Sequence, residues 1–271
     1  MQNSKKFPPS DGRASHKIAI QPLFSKTIIS ELPLFKGIKT AAFRLTISPQ
    51  QANLAHRYLS PAEDRILRRF TFPKRAAQWL AGRLCAKAAA LEVISASRPG
   101  FPAWRQIEIN NQADGRPFIT PRGTGLVPDI SISHSGVQAA ALAVWPFLCG
   151  LDIQEIRDTS RIKSRFASPE EEIMILRHGA GANQSSRAMF TMLWSIKEAV
   201  RKAFPLHPLP GFLDLNLQSL TTVPGGFSGR VACRRSDMPD NLSFFAFIEN
   251  NYAAALTINR ESGTTPDNFF D

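Results

Sequence analysis

The chain has no apolar run of about twenty residues, so no membrane-spanning helix is expected. Residues 1–36 are rich in Lys, Ser and Pro. They lack an apolar core followed by a small-residue cleavage site, which argues against a secretory signal and for a flexible extension. Cysteine is scarce. Cys85, Cys149 and Cys233 are far apart and odd in number, which excludes zinc-ligand spacing and a disulfide framework and points to reduced thiols in a cytoplasm. Acidic residues are short as well: 22 Asp and Glu against 33 Lys and Arg leave a net charge of +11. That excess suits a polyanionic small molecule, an acidic protein or nucleic acid. The aromatic residues are mostly Phe, set in apolar runs, and they are not interleaved with basic residues as stacking platforms are. Nucleic acid is therefore the weakest of the three partners.

What the chain does have is concentrated in three stretches. Residues 193–204 read Leu-Trp-Ser-Ile-Lys-Glu-Ala-Val-Arg-Lys-Ala-Phe. Leu193, Ile196, Val200 and Phe204 recur near the period of a buried helix face. Glu198 and Lys202, four apart, project together from that helix. Residues 149–155 form an apolar run with Asp152 set into it, a strand carrying an acid on one face. A carboxylate on a strand and a Glu/Lys pair on a helix can together hold a divalent cation and the phosphates bound to it. The third stretch, 128–136, alternates apolar and polar residues up to a turn at Gly136. It places Ser133, His134 and Ser135 at a strand end, where His and Ser can donate to phosphate oxygens. Upstream, the Asp-Gly-Arg-Pro turn at 114–117 presents Arg116.

In this order, Gly-Arg-Pro, Ile-Ser-His-Ser, Gly-Leu-Asp-Ile and Trp-Ser-Ile-Lys-Glu-Ala-x-x-Lys resemble the motifs of the 4′-phosphopantetheinyl transferases, in their longer single-chain form. The motif resemblance covers about residues 58–204, and the layout extends it to 259. The resemblance implies transfer of phosphopantetheine from coenzyme A to a serine of an apo carrier protein, with release of 3′,5′-ADP. It implies Asp152 and Glu198 as ligands of a catalytic Mg²⁺, and Lys202 on the diphosphate of coenzyme A. His134 would contact phosphates, with Ser133 nearby, and Arg116 would approach the nucleotide. Glu198 is also a candidate general base, directly or through a metal-bound water. The basic helix from residue 74 resembles an Arg-x7-Arg pattern ending in Ala-Gly-Arg, which assigns Arg75 and Arg83 to the 3′-phosphate of coenzyme A. Arg suits that task because its planar fork matches phosphate.

The chain departs from the family at Gln154, where many relatives carry an acid. Strand geometry puts Gln154 on the same side as Asp152 and Glu155 on the other. Gln154 therefore enters the metal set as a neutral oxygen donor, and weaker Mg²⁺ binding is expected. That departure motivates a second reading: a pseudoenzyme that binds coenzyme A or carrier proteins without turnover. A basic nucleic-acid-binding protein is the third.

The expected architecture is α+β, with two similar halves and the active site between them. The first half, 37–149, reads as a strand at 40–47, helices within 49–93, then strands near 106–110, 117–120, 129–133 and 138–144. The second, 150–260, reads as a strand at 150–156, helices near 169–178 and 185–204, then strands near 213–219, 227–234, 242–249 and 252–258. Residues 261–271 read as a polar tail. The halves show no visible sequence identity, so the duplication rests partly on the family resemblance. Expected partners are coenzyme A and an acidic acyl or peptidyl carrier protein, and a site complete within one chain favours a monomer.

Overall fold

The computed structural model describes residues 18–25, 28, 31–46, 57–96, 104–121, 126–204, 208–235 and 241–260. The polar tail and the first seventeen residues lie outside this description, as does residue 47. In chain order the described elements begin with strands β1 (Gln21–Pro22) and β2 (Lys39–Thr46) and helices α1 (Pro61–Leu67) and α2 (Pro73–Ser95). Strands β3 (Ile107–Asn111), β4 (Pro117–Pro121), β5 (Asp129–Ser135), β6 (Gln138–Trp145) and β7 (Leu148–Glu155) follow. Helices α3 (Pro169–Gly181) and α4 (Ser186–Lys202) lead to strands β8 (Leu215–Val223), β9 (Gly226–Cys233), β10 (Leu242–Glu249) and β11 (Tyr252–Asn259). The α+β class holds.

All strand pairing is antiparallel. One sheet runs β1-β2-β6-β5 and the other β7-β11-β10-β9-β8, with β3 and β4 forming a separate hairpin. Strands β2, β6 and β5 occupy the places that β7, β11 and β10 occupy in the second sheet. The β3–β4 hairpin is the counterpart of β8 and β9.

The two halves also share a device that sequence comparison does not expose. Helices α1 and α3 each start with a capping box, Ser60 with Glu63 and Ser168 with Glu171, and each has Pro at the first position. Each of these glutamates does more than cap. Glu63 accepts from the backbone N–H of Ile109 at 3.1 Å and pairs with fully buried Lys87 at 2.5 Å. Glu171 accepts from the N–H of Leu217 at 2.8 Å and pairs with fully buried Lys197 at 2.7 Å. Lys87 donates also to the carbonyls of Tyr58 and Trp104, and Lys197 to those of Phe166 and Phe212. All three ammonium donors are satisfied in both halves, which is what lets a lysine sit in a core. The duplication is thus written in a Ser-Pro-x-Glu box and one distant lysine.

The chain stacks as helix, sheet, sheet, helix. Ala41, Leu45, Ala139, Ala141 and Ala143 pack with α2. Ala42, Ala140, Leu142 and Val144 face Leu151, Ile153, Ala254 and Leu256 of the other sheet. Strand β6 is buried on both faces, so it reads as a nearly unbroken apolar run of small residues rather than an alternation. Helix α4 covers the outer face of the second sheet through Leu193, Ile196 and Val200.

Residues expected to belong to a flexible extension join the fold: Leu23, Phe24, Leu32, Leu34 and Phe35 are buried in the inter-sheet core. Pro33 starts a short 3-10 turn there, and apolar residues dispersed among Lys, Ser and Pro gave no periodic signal. Strand β7 pairs with β11 from its first residue, Leu148 with Asn259.

Candidate active site

The site is built where the two sheets meet edge to edge. Leu151 and Ile153 of β7 point into the inter-sheet core, so Gly150, Asp152 and Gln154 face the opposite way, toward α4. Gly150 lets the helix lie close: a Cβ there would stand 1.8 Å from the carbonyl oxygen of Ala199. With α4 seated on β7, Glu198 and Lys202 come beside Asp152.

Asp152 is 2% exposed, and its carboxylate is fully engaged. Lys202 Nζ lies 2.8 Å from Oδ1 and also donates to the Leu151 carbonyl at 3.0 Å. Ser133 Oγ donates to Oδ1 at 2.8 Å, and Gln154 Nε2 donates to Oδ2 at 3.2 Å. Glu198 is half-buried and pairs with Arg201 at 3.1 Å. Burial pushes its carboxyl up from the ordinary value; the charge of Asp152 adds to this, while Lys202 and Arg201 oppose it.

His134 stands at the exposed end of β5, in electrostatic reach of both Lys202 and Asp152. Partial burial of the ring, then the Lys202 ammonium, hold its imidazole below the ordinary value. It follows that Lys202→Met should raise the His134 pKa, because a nearby cation is lost while the Asp152 carboxylate remains. A proton NMR titration of the imidazole checks this. An unchanged or lowered midpoint would place Lys202 out of contact with His134.

Arg116 is nearly buried. It pairs with Asp129 at 2.6 Å and donates at 2.5 Å to the carbonyl of Lys202 at the C-terminus of α4. It therefore ties the β3–β4 hairpin of one half to the helix that carries Glu198 and Lys202 in the other. Arg75 is exposed in the first turn of α2. Arg83, two turns on, is 6% exposed, lies 5.1 Å over the Trp79 ring and donates to Asn111 Oδ1. Its Nε is buried without a partner, and burial lowers its pKa to about 10, still protonated at neutral pH. The structure thus brings Ser133, His134, Asp152, Gln154, Glu198 and Lys202 together. Arg116 braces them from behind, and Arg75 and Arg83 stand along α2.

The oxygen donors at the seam are two carboxylates and one amide. Among the described residues no three His, Cys, Asp or Glu side chains gather as a closed metal cage. Hard oxygen donors without imidazole or thiolate suit Mg²⁺, which is content with one or two carboxylates and completes its shell with water or phosphate. Two carboxylates near enough to raise one of them also make a place where a divalent cation is welcome.

Sequence reasoning did not find the partners that set this geometry. Asp129, Asn111, Gly150 and Ser131 all act on site residues or their strands, and Ser135 was read only as a phosphate donor. The one visible signal was serine at every second position of β5.

An acid on an edge strand and a Glu/Lys pair on the helix packed over it stand together at the seam. The chain belongs to the 4′-phosphopantetheinyl transferase superfamily, whose family model matches residues 148–257. It is 32% identical over 101 residues to a holo-[acyl-carrier-protein] synthase of Exiguobacterium sp., covering 37% of this chain and 81% of that one. It is 26% identical over 185 residues to the L-aminoadipate-semialdehyde dehydrogenase-phosphopantetheinyl transferase of Pongo abelii, covering 64% of this chain. That match spans 57% of the relative's length. Among solved structures, it is similar to a holo-(acyl-carrier-protein) synthase from Bacillus anthracis in complex with CoA (3′,5′-ADP), at 24% identity and a TM-score of 0.31. That match covers 40% of this chain and 93% of the other.

Proposed function

We propose that this protein transfers the 4′-phosphopantetheine group of coenzyme A to a serine hydroxyl of an apo carrier protein. The observation that carries the reading is the convergence of Asp152, Glu198 and Lys202 at one seam, within the segment that matches the family. The serine oxygen attacks the phosphorus that bears pantetheine, the bond to the bridging oxygen breaks, and 3′,5′-ADP leaves. Asp152 and Glu198 would hold Mg²⁺, with Gln154 as a neutral oxygen donor beside them. When bound, the ion would supply positive charge that offsets the diphosphate oxygens. Lys202 moves from Asp152 to the diphosphate, where its ammonium offsets charge on the leaving group. His134 donates to a phosphate oxygen. Glu198 accepts the serine proton directly or through a metal-bound water. Arg75 and Arg83 receive the 3′-phosphate, and Arg116 keeps the nucleotide side of the cleft attached to α4.

The net charge of +11 favours an acidic carrier protein as partner and speeds its encounter. All the site residues come from one chain, which fits a monomer. Among the described residues no helix is long and apolar enough to cross a membrane. A cytoplasmic location rests on the free cysteines, two of them buried.

Mass spectrometry of apo acyl and peptidyl carrier proteins, incubated with this protein, coenzyme A and Mg²⁺, tests the proposal. A phosphopantetheine mass gain on serine is expected. Gln154, neutral where the family resemblance implies an acid, favours one alternative, a binder without turnover. Coenzyme A binding with no mass gain would select it.

The 3′-phosphate assignment gives a separate expectation. Arg83→Ala should weaken coenzyme A far more than 3′-dephospho-coenzyme A, because a charge-assisted bond contributes roughly 1.5–3 kcal/mol. Calorimetric titration of both ligands decides it. Equal weakening would leave Arg83 as a support for Asn111 and Trp79 only.

A further inference from the structure

Strands β5 and β7 are edge strands of different sheets. An edge exposes a row of unpaired backbone N–H groups. Here that row on β7 is met by side chains. Asp129 Oδ2 accepts from the N–H of Cys149 at 2.7 Å, Ser131 Oγ from Leu151 at 2.9 Å, Ser133 Oγ from Ile153 at 3.2 Å, and Ser135 Oγ from Glu155 at 3.0 Å. Each step along β5 is two residues, and each partner lies 20 residues further on. A side-chain ladder thus joins two sheets whose backbones do not pair.

Each serine hydroxyl also has one proton to give. Ser133 gives it to Asp152 at 2.8 Å, and Ser135 gives it to Gln154 Oε1 at 3.2 Å. In both cases the acceptor is the side chain just before the residue whose N–H the serine receives. At Ser131 that position is Gly150, which has no side chain to hold. With Oε1 on Ser135, the Gln154 amide turns its Nε2 to Asp152 Oδ2. Both oxygens of Asp152 are therefore fixed from β5, one directly and one through Gln154.

We propose that Ser133 and Ser135 are positioning residues, which aim Asp152 and Gln154 of β7 into the cleft for the cation. The inference rests on the metal-dependent reading under Proposed function. It also gives Ser133 a different task from contact with phosphate, since its single proton is engaged by Asp152. Hydrogen-bond partners of this kind set ligand direction, and losing one lowers metal affinity about 10–100-fold.

Ser131 supplies the internal control, because it makes the ladder bond and holds no side chain. Mn²⁺ affinity, read by electron paramagnetic resonance with coenzyme A present, is compared with thermal unfolding for the unaltered protein and four variants. Ser131→Ala and Ser133→Ala should both lower the unfolding midpoint, since each strands a buried N–H. Only Ser133→Ala should weaken Mn²⁺, by about tenfold or more, and Ser133→Thr, which keeps the hydroxyl, should restore it. Ser135→Ala, at a half-buried position, should weaken Mn²⁺ severalfold, and it carries the test if Ser133→Ala does not fold. Equal Mn²⁺ affinity in Ser131→Ala, Ser133→Ala and Ser135→Ala would overturn the positioning role while leaving the proposed function intact. An unaltered protein that takes up no Mn²⁺ with coenzyme A would instead remove the reading on which the inference rests.

Discussion

Asp152→Ala and Glu198→Ala should each lower carrier-protein modification by roughly a thousandfold, about 4 kcal/mol of transition-state stabilisation. In the proposed reaction the charge to be stabilised lies on the diphosphate, and these two carboxylates would hold the cation that offsets it. Removing Asp152 also strands its partners. Ser133 loses its acceptor, and Lys202 keeps only the Leu151 carbonyl of its two contacts. The loss should therefore exceed what a missing Mg²⁺ ligand alone would cause, and added Mg²⁺ should restore little of it. Glu198→Ala should respond more to added Mg²⁺, because Asp152 and its supports stay in place. Circular dichroism should show both variants folded. Initial rates across an Mg²⁺ titration check the expectation, and near-native turnover at low Mg²⁺ in either variant would remove that residue from the site.

The largest expected loss of stability lies away from the chemistry. Lys197→Met should cost roughly 3–5 kcal/mol, because it leaves Glu171 buried without its ion partner. It also strands the carbonyls of Phe166 and Phe212. Lys87→Met should cost a similar amount, since Glu63, Tyr58 and Trp104 repeat the arrangement in the first half. Urea denaturation monitored by fluorescence measures both. A loss below about 1 kcal/mol, the median worth of a surface ion pair, would mean that these lysines do not clamp their halves. Lys197 precedes Glu198 in the chain, yet it points into the core while Glu198 points into the cleft. Neighbouring charged residues on one helix thus serve stability and chemistry separately.

The helix carrying Glu198 and Lys202 was legible because its apolar period over 193–204 is strong, and the structure has it at Ser186–Lys202. Asp152 was legible because a carboxylate set in an apolar strand is costly to bury unless a cation or hydrogen-bond donors meet it. Arg116 was legible as an exposed turn residue, but its engagement with Asp129 and the α4 terminus was not, because those partners lie 13 and 86 residues away. The buried part of residues 18–36 was hidden for another reason. Its apolar side chains follow neither a helix nor a strand period, and only the inter-sheet core gathers them.

The sequence by itself determined which residue types stand at which strand and helix positions. That was enough for the α+β class and for the order of its strands and helices. Such features are local: periodicity, turn signals, an acid set in an apolar run. Only the tertiary structure decided that two separate sheets meet at the β5 and β7 edges and that alternate serines bridge them. It also decided that the absence of a side chain at Gly150 lets α4 settle onto Asp152. These are contacts between elements distant in sequence. Their free energy depends on distance and burial, which no local pattern encodes.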